Sequence, residues 1–374
     1  MRILHVIPSL QLGGAERICI DICEEIAGRL GHELILATLN DKIEHDISNK
    51  KFKIVNTDSI YTPSITGKPT IKLEGLEDLI DSFYPDVIHS HLFQSEMATR
   101  FNIRPNVTYI SHCHDNMFQL KKPGLDSIFD KTKFTNLFER NWILKKYEEC
   151  NNTFIAISRD TYNYFTQNLP PNLAKRVILH PNAVNTVQFA YPEREFNAKI
   201  PKNIITIGSL IPRKNHSFLL DIAKSLIDSN FQVTIQILGK GPELNNLQEK
   251  INSLQLQNLV RIEASPTIGP YLKKADLYVH VAINEPFGLV LVEAGAAGLP
   301  IVSLDGKGNR DLIHNNENGY LIEYQDINQF CEKIKLILTQ EELYNKMSKK
   351  AIEIAKDFDI KSYVDKLLTI YAKS

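Results

Sequence analysis

The stretch NEPFGLVLVEAGAAGLP, residues 284–300, constrains the fold and the site of this chain more than any other. It places Glu285 and Glu293 eight positions apart, and Glu293 is the only charged side chain in residues 287–299. A carboxylate buried without partners costs on the order of several kcal/mol, so Glu293 needs hydrogen-bond donors. Adjacent ribose hydroxyls suit it, because they engage both oxygens of one carboxylate. A structural arginine would satisfy it equally.

A Pro-Phe-Gly corner stands between the two glutamates. Pro286 favours the first position of a helix and Gly288 permits close approach of a backbone or ligand, so we expect a helix to begin at this corner. The free amides of its first turn would face a ligand. Glu285 would then meet sugar hydroxyls, or would serve only as an acid that the helix dipole favours.

Short apolar runs alternate with helical periods on both sides of that stretch. Examples are ILHVI (3–7), DVIHSH (86–91), NIITIGS (203–209) and VTIQILG (233–239). Strands that alternate with helices in this way predict an α/β protein with parallel sheets and helical crossovers.

The alternation is interrupted once, near residues 180–202, where prolines, asparagines and charges accumulate. This break predicts a linker between two doubly wound, Rossmann-like domains. We place the first domain at residues 1–186 and the second at 187–357. The final amphipathic segment, about 358–374, is expected to pack back on the first domain.

Composition excludes several classes of function and location. With 43 basic and 44 acidic residues the formal net charge is -1, so no global field favours nucleic acid. No apolar run is long enough to span a membrane, and MRILHVIPS is typical of a first strand rather than a signal peptide. Five scattered cysteines without a CxxC pair favour a reducing compartment. We therefore expect a cytoplasmic protein.

Glycines and cations follow several predicted strands. In IGSLIPRKN, Gly208 and Ser209 end a strand, and Arg213 with Lys214 lies just beyond, where two cations would neutralise a diphosphate. A solvated basic turn is the alternative.

Two glycine pairs stand at other strand ends. Gly239 and Gly241 in ILGKGPEL permit close backbone approach to a ligand, and Gly13 with Gly14 brings a helix N-terminus towards an anion. Neither pair has the GxGxxG spacing of a dinucleotide fingerprint. Each of them also fits a plain turn.

Histidines end two further strands, in DVIHSHLF and YISHCHDN. His89 and His91 share one face of their strand, as do His112 and His114. Two such pairs are compatible with a zinc site, or with histidines that are merely packed in the core. Asp357-Phe358-Asp359 spells a metal-binding DxD, but helix capping explains its position better.

Together these residues resemble the family 4 retaining glycosyltransferases of the GT-B fold. The likeness rests on the residues from Gly13 to Arg17, Lys214, Gly239-Lys240-Gly241-Pro242 and EPFGLVLVEAGAAGLPIV. It spans nearly the whole chain, and its most specific element is the pair of glutamates. The resemblance implies two Rossmann-like domains that face a central cleft, with a nucleotide-diphosphate sugar, expected to be a UDP-sugar, held mainly by the second.

The resemblance also implies roles for single residues. Glu293 would bind the ribose, Glu285 with the amides of Phe287, Gly288 and Leu289 the donor sugar, and Arg213 with Lys214 the diphosphate. The glycines and Ser209 would line the donor site; many members carry Arg where this chain has Ser209.

The resemblance gives the first domain a histidine that contacts the donor sugar. His112 matches that position best, with His114 close behind and His91 as a further candidate. No metal or other cofactor is then required, since fixed cations stabilise the departing phosphate.

Residues 117–146 carry an excess of Lys and Arg interleaved with Phe118, Phe129, Phe134, Phe138 and Trp142. Such a segment fits the inner leaflet of an acidic membrane, where a lipid-linked rather than a free saccharide acceptor would be found. A solvated domain helix is the simpler interpretation.

The leading hypothesis is a hexosyl- or N-acetylhexosaminyltransferase that assembles a surface polysaccharide or another glycoconjugate. A nucleotide-sugar epimerase of the same fold would use the same diphosphate site without an acceptor. A non-catalytic nucleotide-sugar sensor and a zinc hydrolase built on the histidine pairs are the remaining classes.

Overall fold

The computed structural model describes residues 1–62, 70–122, 131–191, 194–265 and 267–373, without the side chains of 131–134. The chain divides into two compact units: the N-terminal unit is Met1–Asn182 together with Ile360–Ser374, and the C-terminal unit is Ala183–Asp359. Each unit contains its own parallel sheet. The predicted α/β class with two Rossmann-like domains is therefore confirmed.

The strands of the N-terminal unit are short and follow the predicted apolar runs. They are β1 Arg2–Ile7, β2 Glu33–Thr38, β3 Lys53–Asn56, β4 Ile60–Thr62, β5 Thr70–Lys72, β6 Val87–His91, β7 Thr108–Cys113, β8 Thr153–Ala156 and β9 Val177–Leu179. Among the described residues, seven of them form a parallel sheet in the order β3-β2-β1-β6-β7-β8-β9, while β4 and β5 form a separate antiparallel pair.

Helices connect these strands. They are α1 Gly14–Ala27, α2 Glu74–Phe83, α3 Leu92–Thr99, α4 Lys131–Glu149, α5 Arg159–Asn168 and α6 Pro171–Ala174. The central strands are buried on both faces, as β1 is from Ile3 to Ile7. Burial on both faces explains why these strands are continuous apolar runs rather than alternating ones.

The C-terminal unit repeats this plan. Its strands are β10 Lys202–Ile207, β11 Val233–Leu238, β12 Val260–Glu263, β13 Leu277–His280, β14 Ile301–Leu304 and β15 Gly319–Ile322. Its helices are α7 Thr186–Phe189, α8 His216–Asp228, α9 Leu244–Ser253, α10 Gly269–Lys274, α11 Leu289–Ala296, α12 Ile327–Thr339 and α13 Glu341–Lys356. The described strands form one parallel sheet, β12-β11-β10-β13-β14-β15.

The last helix, α14 Ile360–Lys373, belongs to the N-terminal unit although it follows the C-terminal unit in sequence. Val364, Leu367 and Tyr371 on one of its faces are buried, and α14 packs against α1. Arg29 at the end of α1 forms an ion pair with Asp365. The amphipathic pattern of α14 thus covers the sheet of the first unit.

Strand order places a switch point in each sheet. In the N-terminal unit β1 lies beside β6, and in the C-terminal unit β10 lies beside β13, so the direction of chain progression reverses between each pair. Open α/β sheets bind ligands beyond the carboxyl ends of the strands at such a point. The loops after β1, β6, β10 and β13 are therefore where a site is expected.

Candidate functional site

A buried ion pair joins the loops after β10 and β13 in the C-terminal unit. Lys214 ends a short 3₁₀ helix, Pro212–Lys214, and its Nζ donates to a carboxylate oxygen of Glu285. The two side chains are only 13% and 9% exposed. The predicted cation and the first predicted glutamate, 71 positions apart in sequence, thus meet at the switch point.

His280, the last residue of β13, is the third member of this cluster. Its Nε2 lies 3.1 Å from the same carboxylate oxygen of Glu285. Burial alone would raise the pKa of Glu285, but the Lys214 charge and the His280 hydrogen bond outweigh it and hold that pKa well below its usual range. Burial lowers the pKa of His280 below 6.5 despite the neighbouring carboxylate. Glu285 is therefore ionised, and His280 is neutral, at neutral pH.

Backbone hydrogen bonds fix the loop that carries Glu285. Its amide donates to the carbonyl of Gly306 at 2.9 Å, and its own carbonyl accepts from Gly308 at 3.0 Å. Ile283 likewise donates its amide to the carbonyl of Arg213 at 3.0 Å. Three strand-end loops thereby hold one another, while the Arg213 side chain stays exposed and donates to the carbonyl of Asn284 at 3.3 Å.

The Pro-Phe-Gly corner differs from the sequence-based expectation. Helix α11 begins at Leu289, not at Pro286, because Gly288 adopts a left-handed conformation with φ of 101° as the N-cap residue. That conformation interrupts the helix that a proline at its first position would start. No side chain caps the N-terminus of α11. Phe287 is buried and faces Phe358 edge-on.

Glu293 lies in the second turn of α11 and is 2% exposed. Burial raises the pKa of the nearby Tyr278 hydroxyl, and the charges of Glu285 and Glu293 raise it further. Both predicted glutamates therefore lie close to one buried tyrosine beneath the switch point.

The two glycines after β11 are held close to the loop after β10. A Cβ atom on Gly239 would lie 2.0 Å from the carbonyl oxygen of Gly208, and one on Gly241 would lie 2.5 Å from that of Leu210. Only glycine permits this approach of two backbones. Gly208 itself contacts the aliphatic stem of Lys214, and the adjacent Ser209 is exposed.

The glycine pair after β1 is built differently. Gly13 is the N-cap residue of α1 in extended conformation, and both Gly13 and Gly14 are exposed. A Cβ atom on Gly13 would meet only the carboxylate of Glu16, the movable end of a side chain. The start of α1 thus lies at the surface, with the carboxylate of Glu16 beside it.

Histidines from three neighbouring strands stack inside the N-terminal unit. Parallel register places His5 of β1 beside His89 of β6, and His91 of β6 beside His112 of β7. The rings of His112 and His114 stack with centroids 4.1 Å apart, and His91 Nδ1 lies 2.9 Å from His114 Nε2. All five rings are buried, with His114 the most exposed at 8%.

Burial makes these histidines poor bases. It lowers the pKa of His114 from 6.5 to about 3, and burial followed by the repulsion of His114 lowers the pKa of His112 well below 6.5. His112 Nε2 shares a 3.0 Å hydrogen bond with the side-chain oxygen of Asn182, so it is this nitrogen that carries the proton. The rings of His112 and His114 therefore act as neutral hydrogen-bond groups near pH 7.

The predicted residues fall into two groups, one in each unit. Arg213, Lys214, Glu285 and Glu293 gather with the glycines after β10 and β11, whereas His91, His112 and His114 gather with Gly13 and Gly14 at the switch point of the N-terminal unit. One ring nitrogen from each of His91, His112 and His114 lies within 4.8 Å of the other two. This spacing is compatible with the zinc site considered for the histidine pairs.

Several polar residues of these clusters were missed by sequence reasoning. His280 and Asn182 hydrogen-bond directly to predicted residues, and Gly306 with Gly308 closes on the Glu285 loop. The sequence did contain an indication of His280, because this histidine ends the largely apolar run DLYVH. Asn182 stands in an irregular segment, where spacing gives no indication of a partner.

A cavity of about 650 Å³ lies elsewhere in the C-terminal unit, between α10 and the strands β10, β11 and β12. Its lining includes Asn203, Thr234 and Arg261 and none of the predicted site residues. It borders the amino-terminal halves of β10 and β11, away from the strand ends that carry Lys214 and Glu285. We therefore assign the site by its side chains and not by this cavity.

The basic segment 117–146 is only partly described. Phe129 lies outside the described residues, and so does the side chain of Phe134. Trp142 packs on the core beside Ile143 and Tyr147, whereas Phe118 and Phe138 are 62% and 40% exposed. Among the described helices none has the length and apolarity needed to cross a bilayer.

Two family models match adjoining parts of the chain. The model described as Glycosyltransferase Family 4 matches residues 12–188, and the model described as Glycosyl transferases group 1 matches residues 188–354. Their junction falls near the division between the two units.

Individual proteins give the same picture. A glycosyltransferase of Haemophilus influenzae is 28% identical over 192 residues, 48% of this chain and 53% of that protein, so the match spans about half of its length. A subunit of the phosphatidylinositol N-acetylglucosaminyltransferase of Saccharomyces cerevisiae is 23% identical over 337 residues, 83% and 69% of the two chains. An Anabaena protein crystallised with UDP and glucose covers 100% of this chain and 99% of its own, with a TM-score of 0.75 at 18% identity.

Proposed function

Because this chain belongs to the family 4 glycosyltransferases of the GT-B fold, we propose that it is a retaining enzyme that uses a UDP-sugar as donor. It transfers a hexosyl or N-acetylhexosaminyl group to an acceptor hydroxyl in the assembly of a glycoconjugate. Similar proteins support the broader part of this proposal, that the chain is a transferase that uses nucleotide sugars. One of them is a subunit of an N-acetylglucosaminyltransferase, and another was crystallised with UDP and glucose.

The observation that carries the proposal is the buried pair of Lys214 and Glu285 at the switch point of the C-terminal unit. A cation and an ionised carboxylate side by side match the two parts of a sugar diphosphate, its phosphates and its hydroxyls. In the proposed complex the diphosphate becomes the partner of Lys214, and Glu285 accepts hydrogen bonds from the donor sugar. His280 remains within hydrogen-bond distance of Glu285 and holds it in place.

Transfer requires charge stabilisation at the leaving group. The bond between the anomeric carbon and the phosphate oxygen breaks, the acceptor oxygen attacks from the same face, and its proton passes to the departing phosphate. Negative charge grows on that phosphate, so a fixed Lys214 stabilises the transition state more than the ground state. Arg213, which is exposed on the same loop, adds a second cation. We assign no resident metal to this step.

The remaining donor contacts follow the strand-end loops. In the proposed complex Glu293 in α11 accepts hydrogen bonds from the two ribose hydroxyls. The amides of Phe287, Gly288 and Leu289 face the donor sugar. Gly239 and Gly241 keep the loop after β11 close to Gly208, which leaves room for the diphosphate.

The N-terminal unit has a cluster of its own that we propose for hydrogen-bonding a neutral sugar. His112 is neutral at pH 7 and is oriented by Asn182, which suits a group that hydrogen-bonds a sugar hydroxyl rather than one that removes a proton. The exposed N-terminus of α1 at Gly13 and Gly14 can receive an anionic group once the Glu16 side chain turns away. The rings of His91 and His114 pack against that of His112 and share a hydrogen bond with each other.

The acceptor is proposed to be a saccharide or a lipid-linked saccharide. One relative is named for a phosphatidylinositol acceptor, and the exposed Phe118 beside Lys121 and Lys122 would suit the cytoplasmic face of an acidic membrane. The proposed location is the cytoplasm, with peripheral attachment through residues 117–146.

A ligand panel tests the proposal. Thermal unfolding is measured with UDP-glucose, UDP-galactose, UDP-N-acetylglucosamine and their GDP counterparts, since a ligand at about 100 times its Kd adds about 2.7 kcal/mol of stability. The expected result is stabilisation by one UDP-sugar and release of UDP only when an acceptor is present. Turnover of the donor without an acceptor would instead indicate an epimerase, and no stabilisation by any nucleotide sugar would refute the proposal.

A further inference from the structure

A group of thiols and an imidazole lies inside the N-terminal unit, on the opposite side of the histidine stack from His112. Cys19 and Cys23 lie on α1 and His5 lies in the middle of β1. All three residues are fully buried, and one ligand atom from each lies within 4.8 Å of the other two. Neither the proposed donor chemistry nor the packing of an apolar core requires this combination of groups.

Local geometry explains why the three groups meet. Residues four apart share one face of a helix, so the thiols of Cys19 and Cys23 both point from α1 towards the sheet. The thiol of Cys23 lies within 4.8 Å of the thiol of Cys19 and of a ring nitrogen of His5. Tetrahedral zinc with its usual bond lengths separates its ligand atoms by roughly 3.5–3.8 Å. The ligand atoms, which lie within 4.8 Å of one another, therefore need to approach by at most about 1.3 Å to hold such an ion.

The surroundings of His5 complete the pattern of a metal ligand. His5 Nδ1 lies 2.9 Å from His91 Nε2, which leaves Nε2 of His5 as the nitrogen that a metal ion would use. Histidine ligands usually donate their other N–H to a neighbouring acceptor, which fixes the tautomer. The Tyr371 hydroxyl lies 3.3 Å from His5 Nε2 and 2.5 Å from His89 Nδ1. Tyr371 thus places an oxygen next to the same space.

We propose that His5, Cys19 and Cys23 form a structural zinc site, with the Tyr371 hydroxyl facing the fourth coordination position. Two thiolates and an imidazole are the donor set that a borderline-soft dication prefers. Binding releases the two thiol protons, so the thiolates balance the charge of the ion. The ion joins β1 to α1 and, through Tyr371, approaches α14. It takes no part in sugar transfer, and the inference does not rest on the proposed function.

Metal content and a spectroscopic probe test this site. The full-length protein, produced in zinc-supplemented medium and gel-filtered, is expected to contain about one zinc ion per chain by elemental analysis. Replacement of zinc by cobalt(II) should give the near-ultraviolet charge-transfer band of a thiolate complex. Cys19→Ser/Cys23→Ser should lose both the ion and the band, whereas Cys150→Ser, a buried cysteine of the same unit, should keep both.

Two further outcomes would overturn the proposal. Zinc below about a tenth of an ion per chain in the wild-type protein, or a cobalt spectrum without the thiolate band, would show that the cluster is only packed core. Zinc that survives in the double cysteine variant but is lost in His114→Gln would place the ion on His91, His112 and His114 instead. If the cysteine variant fails to fold, the cobalt spectrum of the wild-type protein alone decides the question.

Discussion

The two units place polar groups at equivalent points of their sheets but build them in opposite ways. In the C-terminal unit Lys214 and Glu285 are charged and stand on loops beyond the strands. In the N-terminal unit His91 and His112 are neutral and belong to the strands themselves. Charges on loops can exchange their partners when an anion arrives, whereas rings within a sheet keep their positions. One unit therefore places charged groups where a sugar diphosphate can reach them, and the other holds neutral rings within its sheet.

The largest expected effect is that of removing the Lys214 charge from the C-terminal unit. Lys214→Met should lower kcat by about 10²–10³-fold, the range found when one donor to a developing oxyanion is removed. It should also destabilise the protein by about 3 kcal/mol, because Glu285 is left buried without its cation. Both values follow from steady-state kinetics and urea unfolding.

A double variant separates the two effects. Lys214→Met/Glu285→Gln removes the buried charge along with its partner and should recover most of the lost stability, but none of the lost turnover. Recovery of turnover together with stability would mean that Lys214 acts only on the fold, and the contrast between the two units would fail.

The second largest effect is a loss of stability at acid pH, which we expect from His112 and His114 in the N-terminal unit. His112 and His114 have pKa values far below 6.5 in the folded chain, so the unfolded chain binds more protons as pH falls below 6.5 and stability decreases. Each histidine should cost about 1.4 kcal/mol between about pH 7.5 and 5.5. The carboxylate of Glu285 has a lowered pKa, so its contribution is lost only below its usual value of 4.5.

Fluorescence isolates this response, because Trp142 is the single tryptophan and lies in the N-terminal unit. Urea unfolding at the two pH values should show a stability difference that is about 1.4 kcal/mol smaller in His114→Gln than in the wild-type protein. His314→Gln, an exposed histidine of the C-terminal unit, is the control and should leave the difference unchanged. An unchanged difference in His114→Gln would show that His114 is protonated in the folded chain.

The smallest effect compares the two glycine loops. Gly239→Ala should cost about 1–3 kcal/mol, because its Cβ atom would overlap the carbonyl of Gly208 and the two backbones must move apart. Gly13→Ala should cost less than about 0.5 kcal/mol, because its backbone is extended and the Glu16 side chain can turn away. Thermal unfolding of the two variants decides whether the loops differ; equal losses would contradict the difference.

Much of this architecture follows from the sequence by local rules. Apolar runs with helical periods between them predict the strands and the position of Gly208, Gly239 and the histidines at strand ends. Parallel strands bring their carboxyl ends to one edge of each sheet, and the predicted groups of each unit lie at that edge. Glu293 was expected to be buried because its neighbours in sequence are apolar, and it is 2% exposed.

Other features depend on contacts that no local pattern encodes. The partner of Lys214 is 71 positions away, and the thiols of α1 meet His5 only because α1 crosses over β1. The start of α11 was predicted at the corner that begins with Pro286, three residues before the observed start at Leu289. The left-handed conformation of Gly288 prevents the helix from beginning at Pro286. Long-range pairing and special backbone angles are set by the assembled sheet and not by composition.

The most direct test is the affinity of the protein for UDP, measured by calorimetry on the wild-type protein, Glu293→Gln and the control Glu249→Gln, which changes an exposed glutamate of α9. If Glu293 accepts both ribose hydroxyls, its variant loses charge-assisted hydrogen bonds and binds UDP about 10–100-fold more weakly, while the control binds normally. Equal affinities of all three proteins for UDP would show that Glu293 does not hold the nucleotide, and would contradict the assignment of the donor site to the C-terminal unit.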